Sequence, residues 1–162
     1  MDFPLPPYDI PVRTADNSKS AFSAPKTNLE IFDVFRRRWV RLTAEEKVRQ
    51  QILHHLTATG YPQGRIAVEK EIDVNGTRKR CDAIVYDGTG RPLVIIECKA
   101  ERVRLTQAVF DQAAVYNSTL NVPYLLLTNG RTHYFCRIDA EAHRYLLLEN
   151  FPTYAQLTEN TQ

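Results

Sequence analysis

The chain has 162 residues, of which 43% are hydrophobic and 25% charged, and 21 basic against 19 acidic residues leave a net charge of +2. This length and composition predict one globular domain and exclude a disordered, collagen-like or coiled-coil chain. So small a net charge does not indicate a nucleic-acid-binding protein, although it leaves room for a local basic patch.

Residues 1–26 predict an irregular N-terminal arm that precedes a single domain at residues 27–162. Five of the nine prolines lie in the arm, and proline interrupts both helices and strand ladders. Phe3, Leu5 and Tyr8 could anchor the arm on the domain. No basic and apolar signal region begins the chain, and no apolar run approaches the roughly 20 residues of a membrane helix. We therefore expect a cytoplasmic protein that does not span a membrane.

The first elements predicted after the arm are an extended segment and a helix. Leu29–Leu42 is rich in β-branched and aromatic residues around three arginines, which favours extended structure with a turn. A helix is predicted at Ala44–Ala58. Thr43 and Glu46 have the spacing of a capping box, apolar residues then recur at helical intervals, and Gly60 follows the last of them.

An antiparallel meander of three strands is predicted next. Asn75-Gly76 is a strong signal for a tight hairpin between the first two strands. The third strand is apolar on both faces, which predicts a central position in the sheet. The three predicted strands are Arg65–Val74, Arg78–Tyr86 and Pro92–Lys99.

The last part of the chain predicts a crossover and further strands. Thr106–Leu120 has helical periodicity, and a short buried strand follows Pro123. A strand, a helix and a strand in this order form a βαβ unit, so the third meander strand and the strand after Pro123 should be parallel neighbours. The predicted fold is therefore α/β (α+β mixed): a mixed central sheet, an antiparallel meander plus a parallel strand, flanked by helices.

Asp82, Glu97 and Lys99 are the residues most suggestive of chemistry. Residues two apart in a strand point to the same side, so Glu97 and Lys99 point together. The short turn between the strands can bring Asp82 opposite Glu97. Two carboxylates at the end of a buried strand suit a hard cation such as Mg²⁺ or Mn²⁺, which polarises a phosphodiester and lowers the pKa of bound water. The alternative is a structural Glu–Lys pair at a strand end.

This arrangement resembles the PD-(D/E)XK nuclease signature, with Asp82 as the first acid, Glu97 as the second and Lys99 as the lysine. Cys81 stands where the motif name has proline. The order of segments over about Ala44–Gly130 resembles in particular the N-terminal nuclease domain of type I restriction R subunits.

The resemblance implies a restriction-endonuclease-like core and Mg²⁺- or Mn²⁺-dependent hydrolysis of DNA. In that family the two acids hold the metal, and the lysine positions water or the scissile phosphate. Gln112 and Tyr116 match a Q-x-x-x-Y helix motif of related nucleases, which implies that they support the site or contact DNA.

Many members of this family carry a further metal-site glutamate on the helix before the meander. Glu45 falls on the apolar stripe of that helix, which runs through Val48 and Ile52. Glu46 falls near the edge of the stripe, and the capping box already accounts for it. We therefore predict Glu45 as the third metal-site acid, with Glu46 as the alternative.

Basic residues bracket the predicted site and could contact the DNA phosphates, which would make binding salt-dependent and independent of sequence. Arg36–Arg38 and Arg49 could join them, and a solvated turn is the alternative for each. The predicted nucleic-acid-binding residues are Arg78, Arg80, Arg102 and Arg104.

No GxxxxGK[ST] phosphate-binding motif occurs in the sequence, which excludes an ATP-driven motor within these residues. The sequence therefore predicts a nuclease that acts alone or works with a separate motor or methyltransferase subunit. A non-catalytic module that keeps the fold and binds nucleic acid or protein is the alternative.

Overall fold

The computed structural model describes residues 1–15, 28–74, 76–114, 121–139, 141 and 144–159. The elements of this described part follow one another in the order helix, meander, helix, strands that the sequence predicts. They are β1 (Val12–Thr14), β2 (Leu29–Asp33), β3 (Arg38–Arg41), α1 (Ala44–Ala58), β4 (Ile66–Val74), β5 (Thr77–Tyr86), β6 (Pro92–Cys98), α2 (Gln107–Ala114), β7 (Tyr124–Thr128), β8 (His133–Asp139), β9 (Arg144–Leu147) and α3 (Tyr154–Glu159).

The larger of the two sheets has six strands in the order β4-β5-β6-β7-β8-β9. β6 and β7 are parallel, and the other neighbouring pairs are antiparallel. The connection from β6 to β7 contains α2, as expected for a βαβ crossover. The predicted mixed sheet with a central third meander strand is confirmed.

Helix α1 has the predicted bounds and packs its apolar side on the sheet. Thr43 is its N-cap, and the hydroxyl of Thr43 accepts a hydrogen bond from the backbone N–H of Glu46 at 3.0 Å. Burial of the apolar side of α1 excludes water from the face of the sheet that the helix covers, next to the ends of β5 and β6. The core between α1 and the strands includes Val48, Ile52, Leu53, Leu56, Ala83, Val85, Ile96 and Cys98.

A second apolar cluster joins α2 to the strands of the same sheet. Ala113 of α2 is buried there with Ile84 of β5 and Ile95 of β6, and Phe110 packs against the cluster. The sheet therefore forms one apolar cluster with α1 and another with α2. We expect a site at the strand ends between these two helices. Across the described residues, no helix has the length and apolar character needed to span a membrane.

The smaller sheet contains β1, β2 and β3 in that order. β2 and β3 form a hairpin, which confirms the extended structure predicted for this segment. The guanidinium of Arg13 lies 4.3 Å from the ring centroid of Trp39, and the rings of Phe32 and Trp39 are 5.4 Å apart. The turn of this hairpin carries Arg36, whose side chain pairs with Glu46 in the first turn of α1 and with Glu69 of β4.

The described part of the N-terminal arm, residues 1–15, has more regular structure than the sequence predicts, and the rest of the predicted arm, residues 16–26, lies outside the described residues. The prediction of a wholly irregular arm is wrong at Val12–Thr14, which pairs with β2 because these residues follow the last proline of the first cluster and can extend the open edge of the hairpin. Phe3 packs on the ring of His133 at 4.5 Å, and the hydroxyl of Tyr8 is 2.8 Å from Nδ1 of His55. Leu5 packs against the core, so the three predicted anchors make contact with the domain.

Helix α3 was not predicted from the sequence. Only Leu157 of this helix is buried, and the six residues are too short a window for helical periodicity to be detected in the sequence. The hydroxyl of Tyr154 donates to the carbonyl of Tyr86 at 3.0 Å, which ties α3 to the end of β5.

Candidate active site

Three acidic residues lie at one level across the strands β4, β5 and β6. Counted from the neighbouring ladder pairs, Glu69 of β4 is opposite Asp82 of β5, and Asp82 is opposite Glu97 of β6. Cross-strand neighbours are about 5 Å apart at their Cβ atoms, so the row brings three carboxylates together. Such a row is costly unless cations or hydrogen-bond donors compensate its charge.

Asp82 is the most constrained of the three acids. One oxygen, Oδ2, accepts a hydrogen bond from the backbone N–H of Cys98 at 2.6 Å. The other, Oδ1, accepts from Nε of Arg49 at 3.2 Å and from Nη2 of the same side chain. The hydrogen bond from Cys98 lies just beyond the last ladder pair between β5 and β6, so the side chain of Asp82 takes the place of a backbone acceptor there.

Glu97 and Lys99 point together, as their spacing predicts. Nζ of Lys99 donates to Oε1 of Glu97 at 2.9 Å. The other carboxylate oxygen of Glu97, Oε2, is buried and has no hydrogen-bond partner. Burial raises the pKa of Glu97 to about 7, and the negative charges of Asp82 and Glu45 act in the same direction while Lys99 opposes them.

The donor set suits a divalent cation with oxygen ligands. A buried carboxylate oxygen without a partner, opposite a second carboxylate, is the position at which a hard cation lowers the energy of the site. Within the described residues, no group of three or more His, Cys, Asp or Glu side chains already forms a metal-binding arrangement. Asp82 is instead bonded to Arg49, so a cation would share or replace that contact.

Arg49 is a central residue of the site, and the sequence-based suggestion that it contacts DNA phosphates is wrong. Its side chain is only 8% exposed. It is bonded to Asp82 and to Glu46, and its Nη1 lies 3.7 Å from Oε1 of Glu69. The neighbouring carboxylates raise its pKa well above the usual value against the opposing effect of burial, so the guanidinium is a permanent cation that holds Asp82.

Glu46 and Glu45 have different environments from those predicted. Glu46 is buried, and its carboxylate accepts hydrogen bonds from Arg36, Arg49 and Gln50, so assigning it to the helix cap alone is wrong. The buried face of α1 therefore includes Glu46, which lay at the edge of the predicted apolar stripe. Its ion pairs with Arg36 and Arg49 take the place of apolar contacts. Glu45 is 45% exposed and 3.8 Å from Arg49. Its negative charge is among the smaller contributions to the pKa values of Glu97 and Lys99, so it lies within electrostatic range of the predicted site.

Glu69 is a site residue that the sequence reasoning missed. Its φ of +52° lies in the left-handed region, which a residue with a Cβ occupies at a cost of about 1–2 kcal/mol. It is also the one residue of β4 without a ladder partner in β5. In the sequence Glu69 reads as one charge of an alternating strand. The only sign of its role in the sequence is its position: counting residues away from the predicted turn at Asn75-Gly76 along both strands places Glu69 opposite Asp82.

Comparison with known proteins defines the family. Residues 44–152 match the family model described as "Type I restriction enzyme R protein N terminus (HSDR_N)". The chain belongs to this family. The resemblance to the N-terminal domain of type I restriction R subunits, drawn from the sequence motifs, is confirmed.

This R-subunit N-terminal domain spans only a small part of the length of the two relatives that it matches. The chain is 29% identical over 98 residues to the type I restriction enzyme EcoAI endonuclease subunit of Escherichia coli, covering 58% of this chain and 12% of that protein. It is also similar to a fragment structure of an HsdR subunit of a type I restriction enzyme from Vibrio vulnificus YJ016. That match has a TM-score of 0.54 and 22% identity, and it covers 74% of this chain and 25% of the other. This likeness supports the predicted restriction-endonuclease-like α/β fold.

The other described residues that were predicted for the site lie on α2, on β5 and in the loop between β6 and α2 of this R-subunit N-terminal domain. Gln112 is exposed on α2, and Tyr116 lies outside the described residues. Arg80 is 60% exposed, and its Nη2 lies 3.8 Å from Oε1 of Glu69. The remaining three arginines are exposed, at one end of β5 or in the loop between β6 and α2; they are Arg78, Arg102 and Arg104.

Proposed function

We propose that this domain is a Mg²⁺- or Mn²⁺-dependent deoxyribonuclease of the PD-(D/E)XK type, which hydrolyses a phosphodiester bond of DNA. The observation that carries the proposal is the buried, unpartnered Oε2 of Glu97, which lies opposite Asp82 and beside Lys99. A structural Glu–Lys pair would not need a second carboxylate at the same level, nor an oxygen left without a donor.

Asp82 and Glu97 would hold the metal ion, with Glu45 as the third acid. When bound, the ion would polarise the phosphodiester and lower the pKa of an attacking water. Arg49 and the N–H of Cys98 keep the carboxylate of Asp82 in one orientation. That fixed orientation lowers the entropy lost when the reacting groups are assembled.

Lys99 would position the attacking water or stabilise the charge that develops on the phosphate. Its backbone N–H donates to the carbonyl of Thr128 at 2.8 Å, so the residue remains tied to the sheet just after the end of β6. Its ammonium is held at Glu97 by the 2.9 Å contact and can turn toward a neighbouring anion without moving the backbone. Gln112 and Tyr116 would support the site or contact the DNA strand.

The larger assembly is part of the proposal. The curated relative is an endonuclease subunit of a type I restriction enzyme, and this chain spans 12% of its length. We therefore propose that the domain acts on DNA within a restriction system, where a separate motor or methyltransferase subunit is the partner. Stand-alone activity is the simplest form to test first.

One observation favours a second function. Oδ1 of Asp82 is already bonded to the permanent cation of Arg49, and a domain that never binds a metal could keep this ion pair. On that basis the alternative is a non-catalytic module that retains the fold and binds nucleic acid or protein.

A cleavage panel with metal titration separates the two functions. The substrates are linear, circular, single-stranded and branched DNA, with RNA of matched sequence, in Mg²⁺, Mn²⁺ or EDTA. Wild type should cut DNA only with a divalent ion. Asp82→Asn and Glu97→Gln should lose Mn²⁺ binding in calorimetry, whereas Lys99→Ala should keep the ion and lose a factor on the order of 10² in rate.

Glu101→Gln is the matched control, because Glu101 is an exposed acid that pairs with Arg131 away from the acidic row. It should cut and bind Mn²⁺ like wild type. Unimpaired cleavage by Lys99→Ala would exclude the PD-(D/E)XK assignment. Failure of wild type to bind Mn²⁺ would favour the non-catalytic module.

A further inference from the structure

The row of three carboxylates has two gaps between neighbouring strands, and different cations face them. The first gap lies between Glu69 of β4 and Asp82 of β5, and the second gap lies between Asp82 and Glu97 of β6. Arg49 contacts both acids of the first gap, whereas Lys99 contacts Glu97 at the second gap. The two gaps therefore provide different surroundings for a divalent cation.

The guanidinium of Arg49 lies in the first gap and faces one oxygen from each of three acids. Its Nε and Nη2 donate to Oδ1 of Asp82. Its Nη1 donates to Oε2 of Glu46 and lies 3.7 Å from Oε1 of Glu69. The side chain is largely buried, and a guanidinium is not deprotonated in proteins. A positive charge is therefore fixed among these carboxylates.

The other oxygen of each of these three acids is held by a different donor. Oε2 of Glu69 lies 2.6 Å from Nη1 of Arg36, and Nη2 of the same arginine donates to Oε1 of Glu46 at 2.6 Å. Oδ2 of Asp82 accepts from the N–H of Cys98 at 2.6 Å. Several carboxylate oxygens around one positive charge are the surroundings that a divalent cation takes in proteins, and here a guanidinium has that place.

The second gap is less fully compensated among the residues that the structure describes. Oε2 of Glu97 is buried and has no hydrogen-bond partner, whereas Nζ of Lys99 donates to Oε1 of the same carboxylate. Oδ2 of Asp82 accepts a hydrogen bond from Cys98 of β6, and a carboxylate oxygen offers about two lone-pair sites. Both acids of the second gap can therefore still accept a divalent cation.

We propose that Arg49 takes the place of a second metal ion, so that the site binds a single divalent cation, between Asp82 and Glu97. The identity of that cation rests on the proposed function. Sites with two metal ions hold them about 3.5–4 Å apart to clamp the attacking and leaving oxygens of a phosphate. In this domain a fixed guanidinium stands where the second of those ions would be. Arg49 is a positioning residue, since it acts through the carboxylate of Asp82, and Glu46 and Glu69 hold its guanidinium in turn.

The test counts the Mn²⁺ ions that the full chain binds. Calorimetry gives the number of ions, and electron paramagnetic resonance distinguishes an isolated Mn²⁺ from a spin-coupled pair. Wild type should bind a single ion and show the isolated signal. Arg49→Gln removes the guanidinium from the three carboxylate oxygens, so it should bind a second ion and show the coupled signal. Arg49→Lys keeps the positive charge and should bind a single ion, as wild type does.

Glu69→Gln tests the same assignment in a variant that keeps Arg49. Because Glu69 faces the guanidinium in the first gap, its loss should weaken Mn²⁺ binding by less than about threefold, as expected for a charge change outside the ligand set. Asp82→Asn should lose Mn²⁺ binding. Glu101→Gln, which removes an exposed carboxylate paired with Arg131, is the matched control and should bind Mn²⁺ like wild type.

A wild type that binds two Mn²⁺ ions would overturn the proposal, as would a folded Arg49→Gln that binds a single ion at saturating Mn²⁺. A loss of affinity in Glu69→Gln as large as in Asp82→Asn would also overturn it, because Glu69 would then be a metal ligand. If Arg49→Gln does not fold, the wild-type and Glu69→Gln measurements decide alone. Failure of wild type to bind Mn²⁺ would refute the proposed function as well, whereas two bound ions would leave the proposed nuclease intact and remove only this role of Arg49.

Discussion

The domain contains two clusters of buried polar side chains that differ in charge and in how fully they are hydrogen-bonded. The acidic site is formed by the row Glu69, Asp82 and Glu97 with Arg49 and Lys99 around it. The second cluster surrounds His133 at the start of β8, and we call it the histidine cluster. Its side chains are neutral, and the charged groups beside it are the N-terminal ammonium and Asp2.

The histidine cluster satisfies each ring nitrogen of His133. Nδ1 is 2.7 Å from the hydroxyl of Thr128, and Nε2 is 3.0 Å from the carbonyl of Phe3. Next to it, the amide of Asn129 accepts from the backbone N–H groups of Arg131 and Thr132 and donates to the loop after β6. This closed network attaches the N-terminal arm and the turn before β8 to the sheet.

The acidic site differs because it is charged, strained and incompletely bonded. Oε2 of Glu97 has no partner, Glu69 has a left-handed backbone, and Oδ1 of Asp82 is bonded to the guanidinium of Arg49. Fully bonded neutral networks stabilise a fold, whereas unpaired charge is retained where a ligand compensates it. The two clusters therefore differ in how completely they are bonded: the histidine cluster bonds its own polar atoms, whereas the acidic site leaves a carboxylate oxygen unbonded, which is what the proposed metal site requires.

The largest effect on stability is expected from Arg49→Gln. Removing this cation leaves Asp82 and Glu46 buried without their partner, and breaking a buried ion pair from one side costs about 3–5 kcal/mol. Urea unfolding measures the change. Arg49→Lys should fall between the variant and wild type, because it keeps the charge and loses the paired hydrogen bonds.

Arg131→Gln is the control for this prediction, since Arg131 is exposed and pairs with the exposed Glu101. It should change the free energy of unfolding by less than about 0.5 kcal/mol. If Arg49→Gln costs no more than this control, the Arg49–Asp82 pair does not hold the acidic site together.

Much of the fold could be predicted because it rests on local patterns. The helix at Ala44–Ala58, the antiparallel β4–β5 pair and the parallel β6–β7 pair follow from periodicity, turn chemistry and crossover rules. β1 was missed because three residues at the end of a proline-rich arm carry too little pattern, and their pairing depends on β2.

Within the candidate site, only the contact that follows from strand alternation was predictable from the sequence. Glu97 and Lys99 are two residues apart, so their contact follows from the sequence. The contacts of Arg49 with Asp82 and of Glu69 with Arg36 join residues from separate elements, and they depend on how α1 and the β2–β3 turn pack on the sheet. No local pattern reports such packing, which is also why the burial of Glu46 was missed.

An intermediate effect is expected from the two helix glutamates. Glu46→Gln replaces a carboxylate that accepts from Arg36, Arg49 and Gln50, and losing hydrogen bonds to charged groups should cost about 1.5–3 kcal/mol. Glu45→Gln should change stability by less than about 0.5 kcal/mol, as expected for a partly exposed side chain. Urea unfolding and a DNA cleavage assay give the two readouts.

Cleavage should rank the same pair in the opposite order. If Glu45 is the third metal-site acid, Glu45→Gln loses more activity than Glu46→Gln, although it is the more stable variant. A larger activity loss in Glu46→Gln at a temperature where both variants are folded would assign the metal-site role to Glu46.

The smallest effect is a difference in pH dependence between the two clusters. Burial lowers the pKa of His133; the N-terminal ammonium and His55 add to this, while the carbonyl of Phe3 and the charge of Asp2 oppose it. The unfolded chain therefore binds more protons than the folded one, so the stability contributed by His133 is present above about pH 6.5 and is lost on acidification. Glu97 has the opposite sign, because its pKa is raised to about 7 and its burial becomes less costly as it gains a proton.

Unfolding in EDTA at pH 7.5 and pH 5.5 separates the two contributions. His133→Asn removes the histidine contribution, so on acidification it should lose about 1 kcal/mol less than wild type, in keeping with one partly linked proton. Glu97→Gln removes the opposing contribution and should lose more than wild type over the same interval. His54 and His55 have pKa values lowered by burial and are present in each of these proteins, so their contribution cancels in the comparison. If His133→Asn loses as much stability as wild type, His133 does not fold as a neutral ring between Thr128 and Phe3, and the contrast between a neutral structural cluster and a charged site fails at this residue.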